Sequence, residues 1–155
     1  MDAKERQDLL DRYRSGPAAV DEALDGVTIE ELDRRPPGEW SPRMVVHHLA
    51  DSETNSYLRL RKLLAEDGPM LQGYDEAHWA EVLHYDRPIE ASLAVCQGVR
   101  AASAELLDRA TDADWSRSGV HSESGEYSVD DWLRIYAAHG HEHADQIRRA
   151  REDLT

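Results

Sequence analysis

Residues 41–67, SPRMVVHHLADSETNSYLRLRKLLAED, constrain the fold more than any other stretch. Ser41 offers an N-cap oxygen, Pro42 suits the first helical turn, and neither glycine nor proline follows until Gly68. A long helix over about residues 41–66 is therefore expected. Helical periodicity dominates elsewhere too. Leu9, Leu10, Tyr13, Val20 and Leu24 mark a first amphipathic helix, with a break or kink expected at Gly16 and Pro17. Thr28 and Glu31 form a capping box for a short helix that Pro36 and Pro37 stop. Residues 88–110, rich in Ala and Leu, read as a further long helix, and Ser128 caps the last one.

Between these segments, residues 75–82 suggest a short helix, and WSRSGVHSESGEYS carries the glycines and serines of a small hairpin. Four substantial helices predict an all-α four-helix bundle, with a short helix and a small hairpin in its connections. At 155 residues the expectation is one domain over 1–155. A net charge of −14 opposes nucleic acid as a partner. The charged N-terminus and the lack of any span-length apolar run argue against a membrane and for the cytoplasm. Cys96 is the single cysteine and sits among small and apolar residues, so a buried structural thiol in a reducing compartment is expected.

The chemistry concentrates in histidines. HGHEH, residues 139–143, falls on the last helix, whose inward stripe is set by Trp132, Ile135, Tyr136, Ile147 and Ala150. His139 and His143 share that stripe, while His141 lies about 200° from His139 at 100° per residue. Residues four apart place their Cβ atoms about 5–6 Å apart, which suits two imidazoles on one ion. On the long helix, Val45, His48, Ser52 and Asn55 follow one stripe, and His47 lies about 100° off it. His48 is thus the better third ligand. Asp51 and Gln146 are placed to orient ligands from behind. The protease pattern H-E-x-x-H is excluded, because Gly140 follows His139.

GEWSPRMVVHHLADSETNSYLRLRKLLAEDGPMLQGYDEAHWAEV together with YSVDDWLRIYAAHGHEHADQI resembles the DinB-like superfamily of four-helix metalloproteins. The closest resemblance is to its YfiT-type branch of metal-dependent hydrolases, which is also associated with bacillithiol S-transferase activity. The resemblance runs from about Asp25 to Ile147. It implies a divalent metal, zinc or nickel, on His48, His139 and His143, the same set the helical faces select. Glu53 departs from the family pattern outside that set and is not expected to affect metal binding.

Three neutral imidazoles leave a divalent ion with open positions, as in catalytic sites. With a thiol there the protein is a low-molecular-weight thiol S-transferase acting on an electrophile; with water it is a hydrolase. A non-catalytic metal or ligand-binding module is the third reading. Asp51 and Glu142 are the acids next to ligands, and neither is placed as a clear general base, which favours thiol transfer. For an anionic thiol, Ser52, Asn55 and Arg59 continue the His48 stripe, with Arg59 about 16 Å along the axis from His48. The apolar loop segment PMLQGY suggests a homodimer.

Overall fold

The structure is a computed structural model that describes residues 1–152. It contains α1 (Ala3–Leu24), α2 (Ile29–Asp33), α3 (Pro42–Ala65), β1 (Met70–Leu71), α4 (Glu76–Val82), α5 (Glu90–Leu107), α6 (Asp112–Trp115), β2 (Ser118–His121), β3 (Gly125–Ser128) and α7 (Val129–Arg151). The local start signals act as expected. The Ser41 hydroxyl accepts from the Met44 amide, and Thr28–Glu31 closes a capping box in front of α2. Ser128 closes another with Asp131 at the head of α7. The hairpin forms with Gly119 opposite Tyr127. Its third strand was not expected: β1 pairs parallel with β2, Met70 opposite Val120. Two residues carry no readable alternation, and their partner lies some 50 positions away.

The four long helices bury two apolar clusters, and cluster membership gives their directions. Leu10 and Tyr13 of α1, Leu60 and Leu63 of α3, Ala104 and Leu107 of α5, and Trp132, Leu133 and Tyr136 of α7 pack together near the small sheet. Val20 and Leu24, Val45, Val46 and Leu49, Cys96, and Ala144 and Ile147 pack at the other end. Thus α1 runs parallel to α7, α3 runs parallel to α5, and the two pairs are antiparallel. Because α3 and α5 are parallel, residues 66–89 must return along the whole of α3. That return brings Gln72 to Arg59, Tyr85 to Asp51 and Arg87 to His47.

Between the apolar clusters lies a polar belt at which each long helix contributes small or charged residues: Gly16, Glu53 and Ser56, Arg100 and Ser103, and Gly140. Arg100 is 3% exposed and Glu53 is fully buried, joined by a 2.7 Å ion pair. Of the break or kink expected at Gly16 and Pro17, the break does not occur, since α1 continues through both. Proline lacks the N–H that would bond the carbonyl one turn back, that of Tyr13. Arg100 Nη1 donates to this Tyr13 oxygen at 2.7 Å, replacing the missing donor. Gly16 supplies the space, because a side chain there would overlap the guanidinium. The Gly-Pro pair is a socket for Arg100.

Two further expectations are corrected. Ile135 leaves the inward stripe and is 49% exposed, against 3% for its neighbour Tyr136. The α5 helix is shorter than residues 88–110, ending at Leu107. Cys96 is buried as expected, and burial first of all pushes its thiol up to about 12. No helix among the described residues is long and apolar enough to cross a membrane.

Candidate metal centre

Among the described residues, His48, His139 and His143 form the one group of three potential ligands whose candidate atoms all lie within 4.8 Å of one another. Their ring centroids are 4.8 Å apart for His48 and His143, 5.6 Å for His48 and His139, and 4.5 Å for His139 and His143. The antiparallel crossing of α3 and α7 produces the convergence. His48 presents one ring from α3, and the four-residue step on α7 sets the other two side by side, edge to face. The other histidines of both motifs are diverted. His47 is bound to Ser92 Oγ and the Arg87 carbonyl, and His141 sits 2.9 Å from the Arg12 carbonyl.

The triad has the chemistry of a cation site. Burial, reinforced by the neighbouring imidazoles, pushes His48 down to about 3, so it is neutral near pH 7. Burial and then His139 push His143 down to about 4, against a hydrogen bond to Gln146. His143 Nδ1 faces Gln146 Oε1 at 2.8 Å, as expected for a residue that orients a ligand from behind. His139 Nδ1 lies 3.1 Å from Glu53 Oε1. Both α7 rings therefore have one nitrogen engaged by the protein and Nε2 turned away from that partner. His48 Nδ1 is buried without any hydrogen-bond partner. Buried polar nitrogens are rarely left so. The donor set fits a divalent ion that takes imidazole ligands.

The histidines border a solvent-open cleft of about 770 Å³, which Trp40, Glu39, Glu76 and Gln146 also line. A second cleft of about 630 Å³ lies beyond His139, walled by Ser52, Arg59, Tyr74, His121 and Glu123, and shares both His139 and Glu76 with the first. Ile135 lines this second cleft, which explains its exposure. Arg59 is anchored there by donating to the Tyr136 hydroxyl at 3.2 Å and the Gln72 carbonyl at 2.8 Å, while its buried Nε has no partner.

The remaining candidates are placed differently. Asp51 accepts a 2.6 Å hydrogen bond from the Tyr85 hydroxyl and is not in the wall of either cleft. Asn55 donates to the Asp51 carbonyl and lines neither. Glu142 is exposed. Glu53 lies outside the triad yet touches it through His139. Burial raises the Glu53 carboxyl, but the Arg100 charge and hydrogen bonds from His139 and Arg100 outweigh this and hold it below the usual carboxylate range.

Glu76 was not expected at the site. It lies in the first turn of α4, is exposed toward both clefts, and its carboxyl is raised above the usual value. Partial enclosure is the main cause; His139 opposes it, Glu123 adds to it and Arg59 opposes it. The expected short helix near 75–82 was the only available signal, and it does not say which helix α4 covers.

A family model described as the DinB superfamily matches residues 12–147. A protein of Oceanobacillus iheyensis, named provisionally a metal-dependent hydrolase, is 40% identical over 110 residues, 71% of this chain and 64% of that protein. The chain thus spans just under two thirds of that relative's length. A Geobacillus kaustophilus protein with the same kind of name is 34% identical over 156 residues, covering 98% of this chain and 87% of its own. Among solved structures, YfiT from Bacillus subtilis superposes with a TM-score of 0.91 at 29% identity, over 97% of this chain and 87% of that one. It is described as a probable metal-dependent hydrolase with an unusual four-helix bundle topology.

Proposed function

The chain belongs to the DinB superfamily, and from that premise we propose that it is a metal-dependent hydrolase whose divalent ion, zinc or nickel, is held by His48, His139 and His143. The observation that carries this reading is the joint placement of the three rings and a carboxyl, Glu76, on one cleft. When bound, a divalent ion on three imidazoles lowers the pKa of a water or thiol and polarises a substrate carbonyl. Glu76 takes the nucleophile's proton at its carboxylate and returns it to the leaving group, a task suited to a carboxyl with a raised pKa. Trp40, whose ring lies 4.8 Å from that of His48, walls one side of the cleft. The reading also draws on the names of the relatives, which concern hydrolysis dependent on a metal.

Elemental analysis of untagged protein, followed by ester and amide substrates, tests this. We expect about one ion per chain, lost in His139→Ala/His143→Ala and kept in His47→Ala and His141→Ala. Glu76→Gln should keep the ion and lower kcat by about 10²–10⁴-fold, the usual contribution of a general acid–base group. Stoichiometric metal in the double variant would reject the site, and an unaltered kcat in Glu76→Gln would reject the base.

A second reading, thiol S-transfer to an electrophile by a bacillithiol-type thiol, is favoured by the adjoining cleft and its fixed guanidinium. With Glu76 on the cleft the lack of a base no longer favours this reading, but Arg59 offers a fork for a carboxylate at the far end of such a thiol. In a thiol-dependent assay Arg59→Lys is expected to raise the thiol KM several-fold with metal content unchanged, since an ammonium does not reproduce the fork. An unchanged KM in that variant, or no thiol-dependent loss of a model electrophile in the parent, turns the choice to hydrolysis.

A further inference from the structure

We infer that Glu53, neutralised by Arg100, is a positioning residue that fixes the tautomer of His139, keeping the proton on Nδ1 and leaving Nε2 free as an acceptor. This deepens the metal-site reading above and rests on it for its consequence, though not for its geometry.

An ionised carboxylate can only accept hydrogen bonds. Glu53 Oε1 lies 3.1 Å from His139 Nδ1 and 2.7 Å from Arg100 Nη2, so the N–H between Glu53 and His139 must belong to the imidazole. A neutral ring carries one such proton, and the other nitrogen, Nε2, then presents its lone pair. On the Nε2 side the hydrogen-bond partner is Ser52 Oγ, at 3.5 Å, too long to set the tautomer. The choice is made by Glu53.

As an ionised carboxylate Glu53 offers only acceptor oxygens to the ring, and holding that charge in a fully buried position is costly without a partner. Arg100 supplies the partner and is itself held on three sides. It donates to Glu53, to the Tyr136 carbonyl at 2.9 Å and to the Tyr13 carbonyl left open by Pro17. Gly16 and Gly140 keep the space around the guanidinium clear. Because Tyr136 lies one turn before Gly140 on the helix that carries His139, the same arginine fixes the carboxylate and the backbone that presents the ring.

A purely structural ion pair would staple the helices together and leave the ring indifferent to it. Replacing both charges separates the two roles, since a buried pair can often be exchanged for apolar residues without loss of the fold. The variant is Glu53→Met/Arg100→Met, studied metal-free and with Zn²⁺. Long-range ¹H–¹⁵N spectra of histidine-labelled, metal-free protein should show His139 protonated on Nδ1 in the parent and on Nε2, wholly or in part, in the double variant. Zn²⁺ affinity, measured by competition with a chromophoric chelator, should fall 10–100-fold in the double variant, the usual effect of losing a group that orients a ligand. Glu53→Gln, which keeps an oxygen acceptor, should retain the parent tautomer and most of the affinity. If the methionine pair does not fold, Glu53→Leu/Arg100→Gln, with amide donors left for the Tyr13 carbonyl, takes its place. A folded double variant with His139 still protonated on Nδ1 and unaltered Zn²⁺ affinity overturns the inference. Parent protein that binds no Zn²⁺ but shows the tautomer switch overturns the metal reading and leaves Glu53 as the residue that sets the ring.

Discussion

Gly16→Ala is expected to lower the melting temperature by roughly 5–15 °C, although the same exchange usually strengthens a helix. Inside a helix, alanine is favoured over glycine by about 1 kcal/mol. At position 16 the added methyl would overlap Arg100 Nη1 and come within 3.0 Å of its central carbon. The guanidinium cannot step aside, because its Nη atoms are committed to the Tyr13 and Tyr136 carbonyls and to Glu53. Displacing it would strand a buried carboxylate, and breaking a buried pair costs about 3–5 kcal/mol. The net loss is then about 2–4 kcal/mol, and a chain of this size shifts by about 2–4 °C per kcal/mol. Gly98 provides the contrast, for it is exposed on α5 and a methyl there meets nothing within 4 Å. Gly98→Ala should raise the melting temperature by a few degrees. Calorimetry on both variants checks the pair, and a neutral or stabilising Gly16→Ala would show that the socket is loose.

The two glycines illustrate what the sequence could and could not reveal. Caps are local, so Thr28, Ser41 and Ser128 could be recognised within four residues, and the helices begin where those residues say. The facing of His48, His139 and His143 follows from 100° per residue and needs only that α3 and α7 be packed together. Gly16-Pro17 carries a local signal as well, but that signal is for a break or kink, and the helix is not broken there. What supports the unbroken helix is a single arginine some 84 positions away, set in an alanine-rich helix where it looks like a solvated charge. Glu53 is silent in the sequence for a similar reason, since its contacts depend on Arg100 and His139 at once. Glu76 belongs to a connection, and its place over the triad depends on α3 and α5 being parallel. A helical pattern shows that a residue faces inward but does not name its opposite number, which is why the convergence of the three histidines could be read and the groups that contact them or share their cleft, Gln146 apart, could not.

Stripping the metal should destabilise the parent protein and leave the His139→Ala/His143→Ala variant untouched. A ligand that binds only the folded chain stabilises it by about 2.7 kcal/mol at a free concentration 100 times its Kd. At about 2–4 °C per kcal/mol, that amounts to a fall of roughly 5–11 °C when a chelator removes it. Proton competition then distinguishes this site from three ordinary histidines. An imidazole near its usual value of about 6.5 must lose a proton to bind below that pH, so three of them would weaken binding by about a thousandfold per pH unit. Here burial has already pushed His48 down to about 3 and His143 down to about 4. Both are neutral in the folded chain between pH 5 and 6, and neither has a proton to surrender to the ion. The affinity of the folded protein should therefore fall by far less than a thousandfold per unit across that window. The same depression works against the metal-free fold, because the unfolded chain takes up protons at these two histidines below about 6.5 while the folded one does not. Stability without metal is then complete above that pH and declines as the pH drops toward 4, by up to about 1.4 kcal/mol per unit for each histidine. Zn²⁺ titrations at pH 5, 5.5 and 6, beside urea unfolding of chelator-treated protein over the same range, measure both slopes. A thousandfold loss of affinity per unit together with a flat stability profile would mean that the two rings are protonated as freely in the folded chain as in the unfolded one, and that the site is not built neutral in advance of its ion.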